Sequence, residues 1–188
     1  GGAINVRSEL EDKLIVALMP VIPQNELQNA KMKITMILSD YEIEKRENIK
    51  ILHCIESGSR AWGFASPDSD YDVRGVFVKP LDWYLQLKSD VPDTIVEELP
   101  GDIDVSLWDL RKALLQMAKS NASFLEWLGS PIIYRDCGII VALNELKADC
   151  VNPAHVAFHY ASMFRKAMEK RHSQTPFRLT VWAGIALM

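Results

Sequence analysis

The sequence predicts an α+β fold: a small β-sheet in the middle of the chain, flanked by helices and followed by a helical tail. Three observations carry this expectation. Apolar residues recur at helical spacing before residue 42, short β-rich runs bounded by Gly, Pro and Asp crowd between 49 and 108, and the helical period returns from Asp109. The chain divides accordingly into an N-terminal helical segment over 3–48, a core over 49–135 and a C-terminal helical region over 136–188. Its 188 residues are enough for one ordinary domain with a helical appendage.

Gly1-Gly2, with no methionine, reads as a processing or cloning remnant and is left out of the fold. Ser8 and Glu11 form a capping box that opens a helix ending at Pro20. Leu27, Ala30, Ile34, Leu38 and Tyr41 mark a second helix after Pro23, with the mixed-charge run Glu42 to Lys50 as its solvated end. Ile49 to Ile55 reads as a buried strand broken by Ser57-Gly58-Ser59, and Arg60 to Ala65 as a short helical turn. Tyr71 to Val78 is the second strand, rich in β-formers and ended by Pro80. Ile95 to Leu99 and Ile103 to Trp108 follow as strands joined by a Pro100-Gly101 turn. Asp109 caps a helix to about Lys119, and Ser120 or Asn121 caps another to Leu128. After a short extended stretch at Pro131–Tyr134 come helices over Cys137–Ala148, over Pro153–Lys170 with proline in the first turn, and from Phe177 onward.

Composition narrows the function classes. A hydrophobic fraction of 48% and a charged fraction of 24% exclude a disordered or collagen-like chain. The net charge of −4 supplies no global field for nucleic acid, which leaves room only for a local basic patch. Cys54, Cys137 and Cys150 form no C-x-x-C pair, so neither a zinc ribbon nor a thioredoxin-like site is expected. They read as buried or half-buried free thiols, and with no signal peptide they point to the cytoplasm. No apolar stretch approaches the roughly 20 residues needed to span a bilayer. The apolar end Val181–Met188 expects further chain, or packing into the core or a homo-oligomer interface.

The chemistry concentrates between Glu56 and Arg74. Side chains alternate across a strand, so Asp70, Asp72 and Arg74 share one face, while Val73, Gly75 and Phe77 suit the core. Two carboxylates on one face repel unless a cation sits between them, and oxygen-only ligands favour Mg²⁺ or Mn²⁺. A third carboxylate comes from Asp102-Ile103-Asp104. Asp104 is preferred over Asp102 for its apolar flanks, in a strand that pairs beside the first acidic one. Three aspartates holding two metals clamp the attacking and leaving oxygens of a phosphoryl-type displacement. Gly58 and Ser59 would hold the triphosphate, since glycine allows close backbone approach and exposed amides accept anionic oxygens.

The spacing G-S, ten residues, D-x-D, with a later acid on a neighbouring strand, resembles the DNA polymerase β nucleotidyltransferase superfamily. The blocks GSRAWGFASPDSDYDVR, DWYL, DIDVSLWDLRKAL and FLEWLGSPIIY are similar to bacterial and phage nucleotidyltransferases of that superfamily, including the group linked with RNA-repair ligase systems. The resemblance covers about residues 51 to 135. It implies a small mixed sheet with helices, metal on the aspartates at 70, 72 and 104, and a phosphate loop at Gly58 and Ser59. Neither the first fifty residues nor the end at Met188 fits the family's usual extent.

Other features weigh less. Arg60 and Arg74 read either as ion-pair partners of the aspartates or as direct nucleotide contacts. Trp62, Trp83, Trp108 and Trp127 suit packing better than base stacking. His155 and His159 stand at i, i+4 without the companions of a zinc site. Arg165, Lys166, Lys170 and Arg171, with His172 and Arg178 beyond, form the densest basic cluster, either a solvated helix face or a docking place for RNA. The function expected is metal-dependent transfer of a nucleoside monophosphate from an NTP (ATP among them) to an acceptor hydroxyl on nucleic acid, with RNA the expected acceptor, and release of pyrophosphate. The same chemistry on a protein or small molecule, and a non-catalytic NTP-binding or interaction module, are the alternatives.

Overall fold

The computed structural model describes residues 24–40, 42–66, 68–87 and 92–170. The Ser8 capping box, the helix ending at Pro20, Pro67, and everything from Arg171 to Met188 lie outside them. Helix α1 (Gln24–Asp40) and the short α2 (Ile43–Arg46) lead into β1 (Lys50–Glu56). A single helical turn, α3 (Gly58–Ala61), separates it from β2 (Tyr71–Val78); a second turn, α4 (Leu81–Tyr84), precedes the hairpin β3 (Thr94–Leu99) and β4 (Ile103–Asp109). Helices α5 (Leu110–Ala118) and α6 (Ala122–Leu128), strand β5 (Ile133–Asp136), and helices α7 (Ile139–Cys150) and α8 (Pro153–Lys170) complete the order.

The five strands lie in the order β3-β4-β2-β1-β5. All neighbouring pairs are antiparallel except β2 and β4, which run parallel, so the sheet is mixed and the fold α+β. Alternation along the strands produces two apolar layers. On one face Val73, Phe77, Ile103, Val105 and Leu107 pack with Ile34 of α1 and Ile43 of α2. On the other, Ile55 and Val76 pack with Ala113, Met117, Phe124, Trp127 and Leu143 of α5, α6 and α7.

Capping follows local chemistry. Asp109 accepts the Arg111 amide at the start of α5, and Asn121 accepts the Phe124 amide at the start of α6. Ser120, the alternative cap, instead takes φ 55, and its hydroxyl accepts the Asn152 amide at 2.9 Å ahead of α8. Two sequence expectations need correction. The run from Glu42 is not simply a solvated helix end. Glu42 turns the chain at φ 44, Ile43 is fully buried, and Glu44 accepts the Ile51 amide at 2.7 Å while pairing with Arg135 at 2.8 Å. Cys54 is buried as expected, but Cys137 and Cys150 are exposed because they lie at the outer ends of the segment carrying α7.

Candidate active site

Strand β1 is buried from His53 to Glu56, where the chain must leave the sheet beside the start of β2. Ser57 is extended, and Gly58 takes φ +62, a left-handed conformation that favours glycine. A Cβ at Gly58 would lie 2.0 Å from Asp72 Oδ2, so only glycine lets the backbone come this close to that carboxylate. The Ser57 amide donates to the Asp72 carbonyl at 2.7 Å, and the Asp72 amide donates to Glu56 Oε1 at 2.7 Å. The Ser-Gly-Ser turn is thus stitched onto Asp72 by backbone and side chain together. Ser59 sits half-buried in α3, its carbonyl accepting the Phe64 amide at 3.1 Å.

The parallel register sets Asp72 opposite Asp104 and Arg74 opposite Ser106. Asp102 stays in the preceding turn at φ 58, with its carbonyl accepting the Tyr71 amide at 2.7 Å. Arg74 Nη2 donates to Asp72 Oδ1 at 2.7 Å and to Asp104 Oδ2 at 2.8 Å. Its Nη1 donates to the Val73 carbonyl at 3.1 Å and the Asp104 carbonyl at 2.9 Å. The Arg74 side chain is 17% exposed, against 32% for Asp72 and 42% for Asp104, so the carboxylates meet solvent and the guanidinium lies beneath them. Farther along the same face Val76 and Trp108 disappear under α5 and α6. The helices cover that end and leave the acidic end accessible.

Asp70 is exposed, just ahead of β2. Among the described residues no three His, Cys, Asp or Glu side chains converge on one point. The expected triad is therefore a pair in register plus one outlying carboxylate. Arg60 holds the loop that carries that outlier: its Nε donates to the Asp70 carbonyl at 3.1 Å and its Nη2 to the Ser69 carbonyl at 2.6 Å. The same guanidinium lies 4.0 Å from the centre of the Tyr71 ring, which Lys33 Nζ also approaches at 4.3 Å.

Sequence reasoning missed Glu56. It is fully buried, accepts the Tyr134 hydroxyl as well as the Asp72 amide, and its carboxyl is pushed up to about 7, chiefly by burial. The available signal was an acid closing a strand expected to be buried, immediately before a glycine turn. Ser130 braces the same residue, its hydroxyl donating to the Glu56 carbonyl at 2.5 Å.

Residues 32–181 match RlaP, the RNA repair pathway DNA polymerase beta family. The chain belongs to this family. A curated relative, the uncharacterized protein YcgL of Bacillus subtilis (strain 168), is 41% identical over 125 residues, which are 66% of this chain and 48% of the relative. The chain thus spans about half the length of that relative.

In this member of the RlaP family the matched span takes in the whole site and helix α8. Arg165 and Lys166 are exposed on α8, Lys170 closes it, and Arg171 lies outside the described residues. His155 and His159, also on α8, are exposed and, among the described residues, join no three-residue metal group. Trp108 and Trp127 pack 4.2 Å apart between ring centres beside Phe124, in keeping with a packing role. Among the described residues no helix is long and apolar enough to cross a membrane.

Proposed function

We propose that the chain is a metal-dependent nucleotidyltransferase that moves a nucleoside monophosphate from an NTP to an acceptor hydroxyl, with RNA as the acceptor class, and releases pyrophosphate. The observation that carries this is the β2–β4 register, which brings Asp72 and Asp104 side by side against a glycine whose missing Cβ leaves room for the Asp72 carboxylate. Membership of a family described by RNA repair and DNA polymerase beta supports the same reaction class.

The donor set suits a hard divalent cation, Mg²⁺ or Mn²⁺: two half-exposed carboxylates already share a positive group, and a third, Asp70, stands on the adjoining loop. In this reading Asp70, Asp72 and Asp104 hold the metal. When bound, it supplies Lewis-acid neutralisation of phosphoryl charge. Gly58 and Ser59 receive the triphosphate at the turn, where the backbone approaches most closely. Arg60 keeps the Asp70 loop in place, and Arg74 adds positive charge beside the phosphates. The Asp104 carboxylate accepts the proton of the attacking hydroxyl. Arg165, Lys166, Lys170 and Arg171 supply the basic surface for the acceptor. The free thiols of Cys54, Cys137 and Cys150 are in keeping with a reducing, cytoplasmic setting.

The test incubates the full chain with each α-labelled NTP, Mg²⁺ or Mn²⁺ and RNA ending in a free hydroxyl, alongside Asp72→Ala. Labelled RNA with matching pyrophosphate, lost in the variant, is the expected result. Label travelling with a protein or small molecule would keep the chemistry and replace the acceptor. Nucleotide binding without pyrophosphate release on any acceptor would overturn the assignment as an enzyme.

A further inference from the structure

We infer that Arg74 is a resident counter-cation occupying the place between Asp72 and Asp104, and that a divalent ion must displace one arm of its guanidinium to enter. This rests on the metal-dependent reading above and adds what sets the metal affinity. Nη2 alone spans the two carboxylates, at 2.7 Å and 2.8 Å, so one nitrogen stands where a shared cation would stand. Arginine keeps its charge at every accessible pH, so this occupant leaves only by movement.

The geometry provides for that movement. Nη1 is anchored to the Val73 and Asp104 carbonyls at 3.1 Å and 2.9 Å, bonds that involve neither carboxylate. The guanidinium therefore retains a foothold while Nη2 gives up its two acceptors. Without a metal, the arrangement removes the repulsion of two carboxylates held side by side by the strand register. With a metal, the same bonds must be exchanged, so the ion binds more weakly than the carboxylates alone would hold it. Arg74 is in this sense a positioning residue for the aspartates and a competitor for their ligand.

The experiment measures Mn²⁺ binding to the full chain, by titration calorimetry and by the electron paramagnetic resonance signal of free Mn²⁺, with no nucleotide present. Wild type, Arg74→Gln, Asp72→Asn and the double variant are compared, with melting temperatures recorded with and without metal. Arg74→Gln is expected to bind Mn²⁺ about tenfold or more tightly, since two charge-assisted bonds no longer compete. It is also expected to melt lower than wild type without metal and to regain that loss when Mn²⁺ is added. Binding should vanish in both proteins carrying Asp72→Asn. Equal or weaker binding in Arg74→Gln, still lost with Asp72→Asn, overturns the counter-cation role and leaves the metal site standing. Failure of every protein to bind Mn²⁺ overturns the metal reading and the inference together. If Arg74→Gln does not fold, Arg74→Met replaces it. An uncharged side chain with no N–H to offer either carboxylate is expected to raise the affinity severalfold, and an unchanged affinity counts against the inference.

Discussion

Strand β4 carries an aspartate near each end, and the two live under opposite rules. Asp104 sits at the open end, half-exposed, its carboxylate held by Arg74. Asp109 closes the strand and is fully buried. The Tyr84 hydroxyl donates to it at 2.5 Å, and the Arg111 amide and Nε donate at 2.9 Å and 3.4 Å. A buried carboxylate is tolerated only when donors are supplied, and at Asp109 the α4 turn and the first turn of α5 supply them. At Asp104 the fold supplies one charged side chain, shared with Asp72. A carboxylate satisfied by several fixed donors serves the fold; a carboxylate satisfied by one shared cation is available to a ligand.

The largest expected effect breaks the open end. Asp72→Ala should lower nucleotide transfer on the order of 10³-fold or more, since it removes a carboxylate proposed to hold the metal that neutralises the reacting phosphate. Its urea midpoint should stay close to wild type, because Asp72 is partly solvated already. Steady-state transfer assays and urea denaturation on the same preparations check both halves. Asp109→Ala should do the reverse. It removes a helix cap and the acceptor of the Tyr84 hydroxyl proton, which together are worth about 2 kcal/mol of stability. The Mn²⁺ affinity of its folded fraction should be unchanged. A variant of Asp109 that loses metal binding while keeping its stability would dissolve the contrast between the two ends.

Much of this arrangement was legible in the sequence because it rests on local patterns. Tyr71–Val78 and Pro153–Lys170 are bounded as periodicity and proline placement predict. Asp104 was separable from Asp102 because apolar neighbours marked it as part of a strand, and the structure does place Asp102 in the turn. What was not legible depends on distant neighbours. The neighbouring strand was expected, but whether Arg74 would meet a carboxylate or a ligand is decided by its exact parallel register with β4, which no local pattern in β2 encodes. The burial of Glu56 depends on Tyr134 and Ser130, far along the chain. Helix α4 has four residues, too few to display a period, yet its Tyr84 supplies one of the donors that satisfy Asp109. The exposure of Cys137 and Cys150 likewise depends on where α7 docks, which local hydrophobicity does not report.

Glu56 gives the comparison an intermediate case: an acid at the open end, buried like Asp109 but without a cationic partner among its bonds. Its carboxyl is pushed up to about 7, while an unfolded glutamate titrates near 4.5. Below about 4.5 both states carry the proton and Glu56 contributes no pH dependence. Between 4.5 and 7 the unfolded chain ionises first, the folded chain holds more protons, and stability falls as pH rises. Above about 7 the loss is complete, at roughly 3 kcal/mol. His53 works in the other direction: burial lowers its pKa, so its contribution is lost as pH falls below its unfolded value. The difference between wild type and Glu56→Gln isolates the glutamate. The variant should gain stability relative to wild type on going from pH 5 to pH 8, read from urea midpoints across that range. A constant difference would mean that Glu56 stays ionised in the folded protein throughout.

The smallest effect tests whether a cation at the open end can serve the fold alone. Arg60 donates to two backbone carbonyls and lies over the Tyr71 ring, a set of fixed partners that resembles Asp109 more than Arg74. Replacing it with alanine should cost about 1 kcal/mol, the scale of bonds to carbonyls and of a partly solvated cation–π contact. Through looser placement of Asp70, it should weaken Mn²⁺ binding no more than severalfold. Lysine cannot reproduce both carbonyl bonds, so Arg60→Lys should recover little of the lost stability despite keeping the charge. Calorimetric affinities for Mn²⁺ and for an NTP, with melting temperatures of the two variants, separate the possibilities. If lysine restores nucleotide affinity without restoring stability, Arg60 acts on the phosphates through its charge. If stability and affinity fall together in both variants, its work is to hold the loop, and the rule drawn from the two aspartates extends to the cations beside them.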